Sequence, residues 1–404
     1  MKRVALLCMG LVMGAASAAE AQLTMQMSNG WSFTFGGNAH AFFTYENPGD
    51  DGATGSPGAL TPAGGLGQSR IRTGLLPAFA VFDAKGKEGA TDLGVHFGFA
   101  PQVNCASGVH DCFGAQIDMR QVYLTVGGTW GQLLVGRELG LFGRQNILTD
   151  QTLFGVGATG GSEPGTGGGT TLGRIGFGYI YPQFKAQMTY STAAGRPFQL
   201  SIGVFEGASN GPYTNAQLPR VEAEGVWSAG NTKVWVGGLV QNNKSPLTDE
   251  SATAFGGSGG VRFGGSQFSL TGSGYYGIGL GTTLMFNGVD NEGGGGLNPG
   301  GAIGGAGGSD DLRTSYGFIG QVTFTPAASK VTVAGSYGSS YLDAADNELD
   351  FKTENTLVSG GIYYQATKSL KVVGEFNYYW SDDDVDVTEK NTSWAPAFGL
   401  MLFF

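Results

Sequence analysis

The sequence predicts an all-β fold, a transmembrane antiparallel β-barrel of about sixteen strands. Three observations lead there. Many stretches alternate apolar and mixed residues with a period of two, so that one face of each is greasy and the other is not. Glycine supplies 74 of the 404 residues, and Asp, Glu, Lys and Arg together only 13%, against ordinary shares of roughly 7% and 25%. Short connections alternate with long ones along most of the chain, which sorts the loops to two ends, as a barrel in a membrane requires and a soluble sandwich does not. The same composition excludes other classes. Aromatic residues at 12% and sparse charge argue against disorder. Glycine without a three-residue period is not collagen. Each Gly in a helix would cost about 1 kcal/mol relative to Ala, which removes helical bundles. Mean hydropathy near zero disfavours a polytopic helical membrane protein.

The chain opens on an export signal. Lys2 and Arg3 precede a short apolar run, 4–16, below the ~20 residues of a spanning helix. Ala19, Glu20 and Ala21 form the preferred cleavage site, which makes 1–21 the signal peptide and 22–404 the barrel; an uncleaved anchor is the alternative. Loss of Lys2, Arg3 and Glu20 moves the formal net charge from −10 to −11, a poor balance for binding nucleic acid. Cys105 and Cys112 remain in an oxidising compartment and are expected to form one loop disulfide. A metal pair is the weaker reading, with only His110 near them.

Sixteen strands are expected at 31–45, 69–83, 91–101, 116–127, 131–138, 175–192, 197–206, 219–228, 232–241, 256–263, 267–279, 313–325, 330–341, 354–365, 369–380 and 391–404. In 69–83 the odd positions Ile71, Leu75, Phe79 and Val81 are apolar and are expected to face lipid. In 369–380 the apolar positions are Leu370, Val372, Phe376, Tyr378 and Trp380, and in the last strand Trp394, Phe398, Leu400, Leu402 and Phe404. Pro182 interrupts 175–192, which is either one bulged strand or a strand starting near Phe184 after a longer loop. Tight connections at 128–131, 229–231, 264–266, 326–329 and 366–368 alternate with long ones at 47–67, 139–170, 242–254, 281–311, 342–353 and 381–390. Trp31, Tyr45, Tyr190, Trp227, Tyr337, Trp380 and Trp394 lie near strand ends, where aromatics form interfacial girdles. A barrel of this size encloses water rather than a packed core.

The segment running from Arg120 and Gln121 to Gly127 and Gly128, then from Trp130 and Gly131 to Gly136 and Arg137, resembles the corresponding hairpin of the Gram-negative general porins. Signal peptide, strand cadence and the terminal Phe404 extend the resemblance loosely over the whole chain. The resemblance implies a trimeric outer-membrane channel for passive diffusion of small hydrophilic solutes and ions, without cofactor and without covalent chemistry. It implies that Phe404 is the signal read by the barrel-assembly machinery. It also implies that 139–170 is a long third loop folded into the barrel to constrict the pore, carrying Asp150 and Glu163 with Glu138 just before it. The loop has fewer acids than the family pattern.

Charge placement follows from cost. A charge on the lipid face near the midplane costs about 2–4 kcal/mol, so Arg70 and Arg72 are expected in the lumen, as are Arg220, Glu222, Glu224 and Arg262. Arg120 shares parity with Val122, Leu124 and Val126; either a bulge intervenes or the strand is turned, and the resemblance favours the lumen. Arg137 and Arg144 flank the start of the third loop. The expectation is a basic wall of Arg70, Arg72, Arg120 and Arg137 facing Asp150, against the alternative of scattered solvated charges. The acidic run from Asp382 to Asp386 is either a Ca²⁺ or Mg²⁺ site near lipopolysaccharide or a solvated loop. His40, His96 and His110 lack ligand spacing, and the Gly-rich 293–308 lacks a phosphate-loop Lys. The competing functions are a substrate-selective channel for sugars or anions, a barrel enzyme, for which His is scarce, and a non-conducting structural or adhesive barrel.

Overall fold

In the computed structural model the described residues are 23–49, 58–62, 64–103, 117–160, 170–208, 215–246, 251–283, 312–345, 350–383 and 390–404. Residues 1–21, Cys105, Cys112, Glu163 and Asp384–Asp386 lie outside them.

Eighteen strand segments form one antiparallel sheet: β1 (Leu23–Gln26), β2 (Ser32–Pro48), β3 (Gln68–Arg72), β4 (Phe79–Glu88), β5 (Thr91–Pro101), β6 (Ile117–Gly128), β7 (Gly131–Leu139), β8 (Phe184–Ser191), β9 (Phe198–Phe205), β10 (Arg220–Ala229), β11 (Thr232–Lys244), β12 (Ser251–Gly264), β13 (Phe268–Ile278), β14 (Thr314–Phe324), β15 (Val331–Asp343), β16 (Lys352–Gln365), β17 (Leu370–Asp383) and β18 (Asn391–Phe403). They make sixteen staves. β1 prolongs the line of β18 along one edge of β2, and β3 and β4 share its other edge. Pairing of β18 with β2, from Phe403 opposite Asn38 to Ser393 opposite Pro48, closes the barrel.

Alternation sets the two faces. On β18, Phe398, Leu400 and Leu402 are about half exposed while Ala397 and Met401 are buried; the outer row meets hydrocarbon and the inner row does not. On β12, Phe255, Val261 and Phe263 point out and Ala252, Ala254 and Ser258 point in. Outer aromatics gather near the strand ends. Tyr45 packs on Trp394 with ring centroids 5.4 Å apart, Tyr378 on Trp380 at 5.7 Å, and at the opposite end Trp130 stacks on Tyr190 at 6.1 Å. Such belts suit the two membrane–water interfaces.

Two places depart from the expected cadence. The stave read as 69–83 breaks between β3 and β4. Pro77 cannot donate to a ladder, and Leu75, Leu76 and Phe79, only 4% exposed, turn in against Ile147, Leu153, Val156 and Ile175 instead of facing lipid. The excursion reverses the phase: Ile71 points outward at 59% exposure while Asp83, also odd, is buried. The second departure is at 175–192, where the strand is Phe184–Ser191 and 175–183 belong to the preceding connection, whose Gly140 amide is bonded to the Gln183 carbonyl at 2.8 Å.

Candidate functional site

The connection between β7 and β8 runs along the inner face of the wall. It holds α1 (Arg144–Thr149) and a 3-10 turn (Gln151–Phe154). A helix this short leaves most of its amide groups without internal partners, and a connection inside a barrel must satisfy them on the wall. Three wall carboxylates hold the connection, two of them, Glu222 and Glu375, through its backbone amides. Glu222 of β10 accepts the amides of Leu141 at 2.7 Å and Phe142 at 2.9 Å. Glu224 accepts Arg144 Nη2 at 2.5 Å and Gln145 Nε2 at 3.1 Å. Glu375 of β17 accepts the amides of Val156 at 2.7 Å and Gly157 at 3.0 Å, and the hydroxyl of Tyr363.

Neutral groups complete the attachment. Trp235 Nε1 of β11 donates to Asn146 at 2.7 Å. Gln321 of β14 accepts the Gln151 amide at 2.8 Å and donates to the Thr149 carbonyl at 3.1 Å. Arg174, fully buried, donates to Ser336 of β15 at 2.6 Å and to the Leu357 carbonyl of β16 at 2.9 Å. Hydrogen bonds to charged groups are worth about 1.5–3 kcal/mol each, so the segment is held from β10 round to β17. Its apolar residues pack on the inward excursion at 73–78, where the Leu75 amide donates to the Gly155 carbonyl at 3.0 Å.

The residues expected to line the pore fall into separate groups. Arg70 and Arg72 point inward, opposite Thr44 and Phe42 of β2. Arg72 is buried and donates to the Thr170 carbonyl at 3.2 Å, and both guanidinium groups share the field of Glu46. Arg120 is the extra residue of a β-bulge: Gly98 pairs with Gln121 and Phe99 with Met119. A bulge re-aims a side chain, and Arg120 reaches Tyr181 at 3.4 Å and lies over the Phe184 ring. Arg137 is exposed and shares parity with outward Leu133. Glu138 points inward, accepting Gln121 Nε2 at 2.8 Å and the Leu139 amide at 2.7 Å.

Asp150, expected to face the arginines, is instead 3% exposed. It caps the 3-10 turn, accepting the amide and hydroxyl of Thr152 at 2.9 and 2.7 Å and the Tyr179 hydroxyl at 2.7 Å. Burial pushes its carboxyl above the usual range, against the pull of Arg174. Its short side chain is consumed by local backbone and does not reach the arginine wall.

A cavity of about 570 Å³ remains beside these groups, lined by Leu76 and Phe79 of the excursion, Leu153 and Leu172 of the inserted connection, and Arg120 and Lys185 of the wall. Phe404 ends the closing strand, its amide and carbonyl both bonded to Gly37. Sequence reading missed Lys185, Arg174 and the anchoring role of Glu375; the inward parity of Glu375 on β17 was the one available signal.

A closed barrel with a greasy exterior, a polar interior and a wall-bound internal connection defines an outer-membrane channel. The profile of Gram-negative porins matches residues 5–385, and the chain belongs to that family. It is an outer-membrane diffusion channel, and family and fold are those of a channel rather than an enzyme. Among solved structures it resembles the outer membrane channel DcaP of Acinetobacter baumannii, at 16% identity and TM-score 0.67, covering 94% of this chain and 99% of that one. It also resembles the anion-selective porin of Comamonas acidovorans, at 12% identity and TM-score 0.61, covering 93% and 100%. The trimer form of OmpT from Vibrio cholerae is similar at 13% identity and TM-score 0.54, covering 93% and 100%. No curated protein sequence matches the chain.

Proposed function

We propose that the protein is a homotrimeric general porin whose bore for small hydrophilic solutes is narrowed by the connection between β7 and β8, and that residues 1–21 are removed on export. The observation that carries the reading is the attachment of this connection to inward side chains of β10, β11 and β14–β17. A segment held on so many sides cannot swing clear, so it sets the cross-section. The Vibrio cholerae relative, described as a trimer form, supports association in threes. Swelling of liposomes containing the purified mature protein, in sugars of increasing size, tests the reading: uptake with a sharp size limit is expected, and no uptake of any sugar contradicts it.

A second reading is an anion-preferring channel. It is favoured by Arg120 and Lys185 converging on one cavity that has a single lining carboxylate, Glu206. The relative from Comamonas acidovorans is described as anion-selective.

A further inference from the structure

The lumen carries a second group of charges, far from the arginines at the long-loop end. We infer that Lys85, Lys233, Arg262 and Lys371, brought to the short-turn mouth on four staves, form a cationic ring that gathers small anions such as chloride or phosphate and gives the channel an electrical polarity. The inference rests on the channel reading above.

Parity and register place all four inward. Lys85 shares its phase with buried Asp83, Lys233 with Trp235 at 3% exposure, Arg262 with Ser258 and Lys371 with Val373 at 1%. Each lies near the short-turn end of its strand: Lys85 in β4 ending at Glu88, Lys233 in β11 starting at Thr232, Arg262 in β12 ending at Gly264 and Lys371 in β17 starting at Leu370. Lys233 and Arg262 are direct cross-strand partners, a like-charge pairing that sheets ordinarily avoid.

None of the four forms an ion pair among the described residues. Lys233 donates to Gln145 Oε1 at 2.5 Å and lies 5.9 Å from the Trp235 ring centre. Lys371 sits 3.8 Å from the ring centre of Phe154 in the inserted connection. Both contacts hold a cation in place without neutralising it. The inward carboxylates of this half are already engaged. Asp92 pairs with Lys87 at 3.0 Å, Asp83 with His96 at 2.9 Å, Glu224 with Arg144, and Glu375 is bonded to Val156, Gly157 and Tyr363. A mouth lined by one sign of charge raises the local concentration of the opposite ion, and does so most in dilute salt, where the Debye length is longest.

The test is the reversal potential of one inserted channel of the mature protein in a planar bilayer, under an about tenfold KCl gradient applied first in one direction and then, after perfusion, in the other. Chloride over potassium permeability is expected to differ by about twofold between the two directions, being higher when the dilute solution bathes the ring. The double variant Arg262→Gln, Lys371→Gln is expected to lose at least about half of that difference, and its own conductance shows that it has folded. Equal permeability ratios in both directions, or a double variant that keeps the full difference, overturns the ring while the channel reading stands. Absence of any conductance overturns both.

Discussion

The carboxylate of Glu375 occupies the space that a side chain on Gly155 would need: a Cβ built on Gly155 falls 1.9 Å from Glu375 Oε1. At this contact between the wall and the inserted connection any larger residue must displace the carboxylate, which takes the next two amides of the connection. Gly155→Ala is expected to displace Glu375 and loosen the connection at about 1–3 kcal/mol, the usual range for overpacking. Single-channel recording checks it; frequent sub-state flicker is expected, and wild-type open-channel noise would contradict the contact.

Glu222 and Glu224 hold the same end of the connection with unequal consequences. Glu222 and Arg220 are both fully buried and lie 2.8 Å apart. Glu222→Gln removes the carboxylate from this buried pair and is expected to destabilise the barrel by about 3–5 kcal/mol, the ordinary result of breaking one. Arg144, the partner of Glu224, keeps 14% of its side chain exposed, so Glu224→Gln is expected to be the milder change. Thermal unfolding in detergent ranks the two, and an inverted order would show that Arg220 is compensated elsewhere.

Arg70 and Arg72 are the cations at the long-loop end that the fold places in the lumen without ambiguity, on either side of outward Ile71. Arg70→Ser with Arg72→Ser is expected to move the reversal potential toward cation preference. An unchanged potential would mean that these arginines hold the connection at Thr170 and do not sort ions.

The β5–β6 register steps over Arg120, from Gln121 opposite Gly98 to Met119 opposite Phe99. Deleting Arg120 joins Met119 to Gln121 in continuous register, so the barrel is expected to fold while the contacts to Tyr181 and Phe184 are lost. Heat-modifiable migration on gels reports the folded barrel. Failure to fold would show that the bulge is required for assembly.

Much of the barrel was legible because hydrocarbon on one side and water on the other impose a period of two. The inward placement of Glu222 and Glu224 and the boundaries of β5 and β7 followed from that period alone. What the period could not show was a change of phase. Leu75 and Phe79 alternate like lipid-facing residues, yet they pack on Ile147 and Leu153, because an apolar partner inside the barrel is as good as lipid outside. A bulge such as that at Arg120 likewise leaves no mark on composition. The sequence offers Asp150 as a charge facing a basic wall; Thr152 and Tyr179 are near in sequence and in space respectively, and only the fold discloses that they consume its acceptors.

The most direct test of the account replaces 141–181 with a short Gly-Ser linker and compares single-channel conductance with that of the intact mature protein in the same bilayer. The intact protein is expected to conduct in discrete steps and the variant, relieved of the wall-bound connection, to conduct more. Equal conductances, or an intact barrel that passes no current, would contradict it.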